Sequence, residues 1–143
     1  MQNKLKILFL CTGNSCRSQM AEGWARHLKS DVIQAFSAGL EAHGLNPIAV
    51  KVMQEEGVDI TAQKSQPVDE VETIPFDIVV TVCGHADENC PVFSCTTKVV
   101  HHGFQDPPKL VQTTKTDEEA LDHYRKVRDD IRAFIETLPE GLH

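Results

Sequence analysis

Residues 5–18 read LKILFLCTGNSCRS, which is an apolar run that ends at a cysteine, followed by a short turn and an arginine. The apolar run predicts a buried strand over Leu5–Leu10, and the pattern after the turn predicts a helix over Gln19–Lys29. A strand, a tight turn and a helix in this order are typical of α/β folds. Because a tight turn that enters a helix leaves several backbone N–H groups without carbonyl partners, this turn favours an anion.

The same alternation continues along the chain. Further strands are predicted over Val32–Phe36, Asp77–Val82 and Lys98–His101, and helices over Pro47–Glu56 and from the capping box at Thr116 onward. The last helix carries one apolar face, formed by Leu121, Tyr124, Val127, Ile131, Phe134, Ile135 and Leu138. We therefore predict a three-layer α/β fold, with a four-stranded parallel sheet in the order 2-1-3-4 and helices on both faces, as one domain over residues 1–143.

Composition narrows the class of protein. The formal net charge of -7 argues against a general nucleic-acid surface, and the hydrophobic content of 41% suits a small packed domain. No apolar run is long enough for a signal peptide or a membrane span. Five cysteines form no obvious disulfide framework, which favours a reducing compartment. We expect a cytoplasmic monomer that acts on a small molecule or a protein, without nucleic acid or membrane as partner.

Residues 11–18, called the anion loop below, carry the candidate chemistry. Cys11 lies at the end of the strand, where Arg17 and the helix start favour its thiolate form and make it a candidate nucleophile. Arg17 can grip two oxygens of a tetrahedral oxyanion, and the Ser18 hydroxyl can donate to the sulfur. The candidate oxyanion-binding residues are Thr12, Gly13, Asn14, Ser15, Cys16, Arg17 and Ser18.

These residues also have simpler interpretations. Gly13 and Asn14 tolerate left-handed backbone angles, so they and Ser18 could be only turn and cap residues. Cys11 could be a buried small hydrophobe.

Two further cysteines lie after the third predicted strand. With the order 2-1-3-4, the loops after strands one and three meet where the strand order reverses, so Cys83 should face Cys11 across one crevice. Cys90 follows seven residues later; in a helix the two Cα atoms would lie ~10 Å apart, and a disulfide needs them within roughly 7 Å. The segment would have to unwind, with Gly84 as a hinge, which suggests a redox switch. The alternatives are inert thiols or a zinc site with His85.

The chain resembles the low-molecular-weight protein tyrosine phosphatase superfamily and, within it, the thioredoxin-coupled arsenate reductases. A Cys-x5-Arg pattern alone is a weak signal, but the joint pattern is specific and covers nearly the whole chain. The segments that carry the resemblance are Cys11–Ser18 with the following QMAEG, Ser37-Ala38-Gly39, Thr81-Val82-Cys83, Asn89-Cys90-Pro91 and Gly103-Phe104-Gln105-Asp106-Pro107.

The resemblance implies a reaction and roles for particular residues. Arsenate would be reduced to arsenite through a covalent arseno-cysteine on Cys11, followed by a disulfide relay through Cys83 and Cys90 that thioredoxin regenerates. Asp106 matches the general acid of the family, although an Asp before Pro is by default a turn or cap residue. No cofactor and no metal are implied for this chain.

The remaining cysteines and histidines receive no catalytic role. Cys16 is expected to be structural, although an oxidative bridge to Cys11 is conceivable. Cys95 and the pair His101-His102 are expected at surface or packing positions.

Departures from the phosphatase pattern favour the reductase. Asp106-Pro107 is followed by Pro108 rather than an aromatic residue, and residues 40–46 contain no Phe, Tyr or Trp to hold a phenol ring.

Some members of the family bind a monovalent cation near residues that match Asn14, Glu22 and Ser37; since Gln66 replaces an acid there, we predict no ion. The alternatives are a phosphatase that hydrolyses phosphotyrosine through a cysteinyl-phosphate and an oxyanion-binding or thiol-sensing protein without turnover.

Overall fold

The computed structural model describes residues 4–93 and 96–140. Along the chain, its strands and helices are β1 Leu5–Cys11, α1 Arg17–Leu28, β2 Ile33–Gly39, α2 Pro47–Glu55, β3 Ile78–Thr81, α3 Gly84–Glu88, β4 Lys98–His101, α4 Pro107–Leu110 and α5 Asp117–Glu136. Single turns of 3-10 helix lie at Val68–Glu70 and Val111–Thr113.

The four strands form one parallel sheet in the order β2-β1-β3-β4, which confirms the predicted topology. Cys11 of β1 pairs with Gly39 of β2, and Leu10 pairs with Thr81 of β3, which in turn pairs with His101 of β4. The carboxyl ends of all four strands therefore lie along one edge of the sheet. In open α/β sheets this edge carries the ligand site.

The sheet is covered on both faces. Residues 7–10 of β1 are fully buried, and because successive side chains of a strand point to opposite faces, neither face of β1 is open to solvent. Helix α1 packs on β1 and β2, α5 packs on α1, and α2 packs on α5. The apolar face predicted for α5 is buried from Tyr124 to Leu138, while Leu121 is half-buried.

Local capping signals define both ends of α2. Asn46 Oδ1 accepts from the N–H groups of Ile48 and Ala49, Pro47 is the first helical residue of α2, and Gly57 follows the helix with φ of 76°.

The capping box at the start of α5 forms only in part. The Glu119 N–H donates to Thr116 Oγ1 at 3.1 Å, but the Glu119 carboxylate accepts from the N–H of Lys115 and not from that of Thr116.

Two helices near the site differ from the prediction. Helix α1 begins at Arg17, two residues before the predicted start, and α3 ends at Glu88, so no two-turn helix joins Cys83 to Cys90. Pro91 explains the short α3, because the residue before a proline is disfavoured in the helical conformation. The short helix α4 has no counterpart in the prediction.

No helix within residues 4–93 and 96–140 combines the length and the hydropathy needed to cross a bilayer.

Candidate active site

The backbone of the anion loop has its carbonyl groups turned outward. Four of the carbonyl oxygens accept from N–H groups of residues 40–46, the loop that follows β2. The pairs are Leu40 N to Cys11 O at 3.1 Å, Glu41 N to Thr12 O at 2.9 Å, His43 N to Gly13 O at 2.8 Å and Asn46 N to Ser15 O at 2.9 Å. Within residues 11–15 the fifth carbonyl, that of Asn14, accepts from the Gln19 side chain at 3.0 Å.

Outward carbonyls place the N–H groups on the opposite side. A peptide group carries its C=O and its N–H in opposite directions, so the N–H groups of residues 12–16 point into the pocket. Among the described residues, none of these five N–H groups donates to a protein acceptor. The loop therefore presents a concave row of donors, which is the arrangement that binds a tetrahedral oxyanion.

Gly39 allows the neighbouring loop to approach this closely. A Cβ at this position would clash with the backbone of Glu41, Asn14 and Thr12. The contact between β2 and the anion loop consequently requires a glycine. Gly39 belongs to the Ser37-Ala38-Gly39 segment, one of those that carry the family resemblance.

Asn14 fixes the turn of the anion loop from within. It is fully buried and has φ of 48°, the left-handed conformation anticipated for this residue type. Its Nδ2 donates to Ser18 Oγ at 2.8 Å, and its Oδ1 accepts from the N–H of Gln66 at 2.8 Å. Gly13, by contrast, does not adopt a positive φ; it lacks space for a Cβ because the His43 ring packs against it.

Ser18 holds the sulfur of Cys11. Their Oγ and Sγ atoms are 2.9 Å apart, and both residues are buried. Since Ser18 Oγ already accepts from Asn14, its own proton is free to be donated to the sulfur. The Ser18 hydroxyl can therefore hydrogen-bond to the Cys11 sulfur and hold it in position.

Arg17 is held against the pocket by the loop after β4. Its Nη1 donates to the carbonyl of Phe104 at 3.1 Å, and its Nη2 lies 3.7 Å from Asp106 Oδ1. Asp106 is the N-cap residue of α4, but its side chain accepts no capping hydrogen bond. Instead, Asp106 lines the same cavity as Cys11 and Arg17, together with the anion loop, His43 and Pro108.

Cys83 lies beside the anion loop. Its Sγ is 3.4 Å from the hydroxyl of Thr12, and the N–H of Ala86 in α3 donates to the same sulfur at 3.4 Å. The Cys83 side chain is buried. Thr12 therefore contributes its N–H to the anion pocket while its hydroxyl contacts the second thiol, a contact that the sequence analysis did not identify.

Cys90 lies two residues beyond the end of α3 and is half-buried. Its N–H donates to the carbonyl of Asp87 at 3.4 Å. Burial, and secondly the nearby Asp87 carboxylate, raise the pKa of the Cys90 thiol. Cys95 lies outside the described residues.

Cys16 is buried at the start of α1. Burial raises the pKa of its thiol strongly, although Arg17 opposes the shift. At neutral pH Cys16 is therefore a neutral thiol that packs under the loop, whereas its backbone N–H faces the pocket.

Besides the Thr12–Cys83 contact, two further features of the site were not predicted from the sequence. His43 lines the cavity with its ring nitrogen Nε2 2.7 Å from Glu41 Oε2, and the Phe104 carbonyl orients Arg17. A histidine in the loop after β2 was the available signal, because that loop emerges at the ligand edge of the sheet. The Phe104 contact uses a backbone atom and leaves no signal in the sequence.

The zinc site and the monovalent-cation site considered from the sequence can be compared with the positions of their residues. In the described part of the chain, no three His, Cys, Asp or Glu side chains are grouped to hold a metal ion, so Cys83, Cys90 and His85 form no such cluster. Gln66 donates to the Ser37 carbonyl at 3.0 Å, and the Ser37 hydroxyl donates to Glu22 at 2.5 Å. An amide donor thus occupies the place where an acid was considered for a cation.

Comparison with known proteins identifies the family. The family described as low molecular weight phosphotyrosine protein phosphatase matches residues 6–143. An arsenate reductase of Halalkalibacterium halodurans is 50% identical over 138 residues, covering 96% of this chain and 97% of the relative. An arsenate reductase of Bacillus subtilis is 48% identical over 141 residues, covering 96% and 99%.

Solved structures agree with this assignment. A structure described as an arsenate reductase in the phosphate binding state superposes with a TM-score of 0.75 at 32% identity, covering 97% of this chain and 99% of the other. A low molecular weight protein tyrosine phosphatase from T. tengcongensis shares the fold, with a TM-score of 0.75 at 24% identity over 97% of this chain and all of the other. The chain therefore belongs to the low molecular weight phosphotyrosine protein phosphatase family and, within it, to the arsenate reductases.

Proposed function

We propose that this protein reduces arsenate to arsenite through Cys11, Cys83 and Cys90, with thioredoxin as the reductant. The observation that carries the proposal is the 3.4 Å contact between the Thr12 hydroxyl and Cys83 Sγ. Hydrolysis of a phosphate ester needs one nucleophilic thiol in the pocket, whereas reduction of an oxyanion needs a second thiol close to the first. The relatives named arsenate reductase support this choice.

In the first step the pocket holds arsenate and Cys11 attacks it. The N–H groups of residues 12–16 and the guanidinium of Arg17 bind the arsenate oxygens, which leaves arsenic facing the sulfur. The Cys11 thiolate forms a bond to arsenic, and one hydroxyl group of the arsenate takes a proton from Asp106 and leaves as water. The product is an arsenic(V) ester of Cys11. The relative described in a phosphate binding state supports a tetrahedral oxyanion as ligand.

In the second step Cys83 acts as the nucleophile. Its thiolate attacks Cys11 Sγ, a disulfide forms between the two, and the electron pair of the sulfur–arsenic bond stays on arsenic. Arsenic(V) becomes arsenic(III) and leaves as arsenite. The Thr12 hydroxyl and the N–H of Ala86 contact the attacking sulfur and hold it beside the anion loop.

In the third step the disulfide moves outward. The Cys11–Cys83 bond would lie among buried residues, where a protein reductant has no access. Cys90 therefore attacks Cys83, Cys11 leaves as a thiolate, and the new Cys83–Cys90 disulfide spans the short helix α3. Thioredoxin then transfers two electrons from its dithiol. This chemistry requires reduced thiols at the start of each cycle, which fits a cytoplasmic protein.

Three cysteine variants test the proposal against its alternatives. We expect Cys11→Ser to abolish both arsenate-dependent NADPH oxidation, coupled through thioredoxin and its reductase, and hydrolysis of p-nitrophenyl phosphate. Cys83→Ser and Cys90→Ser should lose only the thioredoxin-coupled turnover with arsenate, because the hydrolysis needs Cys11 alone.

Other results would change the assignment. Full reductase turnover in Cys83→Ser contradicts the relay. Hydrolysis without any arsenate reduction in the parent protein identifies a phosphatase, and oxyanion binding without either reaction identifies a binding or sensing protein.

A further inference from the structure

Among the described residues, one side chain of helix α3 forms a hydrogen bond to another element. Of its five residues, Ala86 is buried and the other four are exposed. Within the residues that the structure describes, Asp87 makes the one side-chain hydrogen bond from α3 to another element: its Oδ1 lies 3.2 Å from Thr81 Oγ1. The His85 ring lies within hydrogen-bond distance of the Asn89 side chain, inside the same segment.

The Thr81 hydroxyl that binds Asp87 also contacts a third residue, His101. Thr81 Oγ1 is also 2.9 Å from Nδ1 of His101, and that nitrogen is 3.9 Å from the Asp87 carboxylate. Thr81 is the last residue of β3 and is fully buried, and His101 is the last residue of β4. The chain Asp87–Thr81–His101, called the α3 latch below, therefore joins α3 to two strands through one buried hydroxyl.

The chemistry of the three groups fixes the direction of the protons. A carboxylate only accepts hydrogen bonds, so the Thr81 hydroxyl donates to Asp87. Thr81 Oγ1 then has to accept from His101, which carries its proton on Nδ1. Each of the two hydrogen bonds orients the other, so removal of the Thr81 hydroxyl breaks both connections at once.

The α3 latch lies in the segment between Cys83 and Cys90, which has to move during the proposed relay. Cys83 is the N-cap of α3, and Cys90 lies two residues beyond its end. Formation of a disulfide between them requires the two Cα atoms to come within roughly 7 Å with suitable Cβ directions, which the helical turns between them oppose. Opening of α3 would therefore precede the attack of Cys90 on Cys83.

We propose that Asp87 is a positioning residue, which through Thr81 and His101 keeps α3 closed and sets the rate at which Cys90 reaches Cys83. The rate statement rests on the proposed relay, whereas the closed state of α3 is a property of the reduced protein alone. The exchange step itself consumes no oxidant: Cys90 bonds to Cys83, and Cys11 leaves with the electron pair.

Two variants separate the latch from the charge of Asp87. Thr81→Val removes the hydroxyl from a strand position of similar shape and leaves the Asp87 carboxylate in place. Asp87→Ala removes the carboxylate, and Glu88→Ala is its matched control, because it makes the same change at the next exposed position of the same helix. Thr81→Ser keeps the hydroxyl and should behave as the parent.

Amide hydrogen exchange of the reduced protein tests the closed state without arsenate. We expect the amides of residues 86–90 to exchange about tenfold faster in Thr81→Val and in Asp87→Ala, the effect of losing one or two hydrogen bonds. Glu88→Ala and Thr81→Ser should exchange as the parent does. Parent-like exchange in both Thr81→Val and Asp87→Ala would overturn the proposal, and it would do so whether or not the protein reduces arsenate.

A single turnover with one equivalent of arsenate tests the rate. In Thr81→Val and Asp87→Ala we expect the Cys11–Cys83 disulfide to appear at the parent rate and its conversion to Cys83–Cys90 to be about tenfold faster. Faster exchange of α3 with an unchanged conversion rate would overturn the positioning role. Absence of any arsenate-dependent disulfide in the parent would contradict the proposed function instead, and the exchange rates would still decide whether the latch exists.

Discussion

The Ser18 hydroxyl links the buried side chain of Asn14 to the reactive sulfur of Cys11. The oxygen accepts from Asn14 at 2.8 Å and lies 2.9 Å from Cys11 Sγ. Asn14 is held in turn by the N–H of Gln66. The Cys11 sulfur thus has a hydrogen-bond donor whose direction is fixed by buried residues, so little reorganisation of the site is needed during the reaction.

Cys16 provides a prediction of pH dependence. Burial raises the pKa of this thiol in the folded protein, and an unfolded cysteine ionises near ~8.5. Above that pH the unfolded state loses a proton that the folded state keeps, so the free energy of unfolding falls as the pH rises. Between pH 8 and pH 10 the loss from this residue should be about 2 kcal/mol.

The variant Cys16→Ser isolates this contribution. Urea unfolding at several pH values should give a shallower alkaline decline for the variant than for the parent. Cys90 is common to both proteins, and Cys16 is not among the causes of its pKa shift, so the ionisation of Cys90 cancels in the comparison. Parallel declines would contradict the assignment of Cys16 as a buried neutral thiol.

At the level of elements, α5 supports the residue that binds the anion. Phe134 of α5 stacks on His102 with 4.1 Å between ring centroids and meets Phe104 edge-on at 5.8 Å. The carbonyl of Phe104 orients Arg17. The position of the guanidinium thus depends on the packing of a helix at the other end of the chain.

Replacement of Phe134 should weaken anion binding. Phe134→Leu keeps the apolar character but loses the ring contacts, which are worth about 1 kcal/mol beyond area burial, so we expect roughly fivefold weaker binding of phosphate. The measurement is the phosphate concentration that half-protects Cys11 from iodoacetamide. Phe36→Leu is the control, since Phe36 makes a similar edge contact with Phe76 and has no contact with the pocket. If the half-protecting phosphate concentration were the same for Phe134→Leu as for Phe36→Leu, the role of Phe134 would be contradicted.

For the whole molecule, the features that sequence reasoning predicted correctly are those with local signals. The apolar run of residues 5–10, the Asn46-Pro47 start and the Gly57 end of α2 follow from neighbouring residues alone. The strand order agrees because the resemblance and the α/β alternation pointed to the same topology.

The features that were missed depend on contacts between distant segments. His43 enters the pocket because residues 40–46 run alongside the anion loop, and neither segment shows this pairing by itself. The hydroxyl of Thr12 meets Cys83 across 71 positions of sequence. The two-turn helix considered between Cys83 and Cys90 does not form, because Pro91 disfavours the helical conformation at Cys90.

The central claim is that two electrons pass to arsenate from thiols in a fixed order, and mass spectrometry of one turnover tests it directly. Reduced protein is mixed with one equivalent of arsenate, quenched with acid, alkylated and digested. We predict a Cys83–Cys90 disulfide in the parent, a Cys11–Cys83 disulfide in Cys90→Ser, and one arsenite released in each case. Release of arsenite from a protein in which Cys83 remains a free thiol would contradict the account.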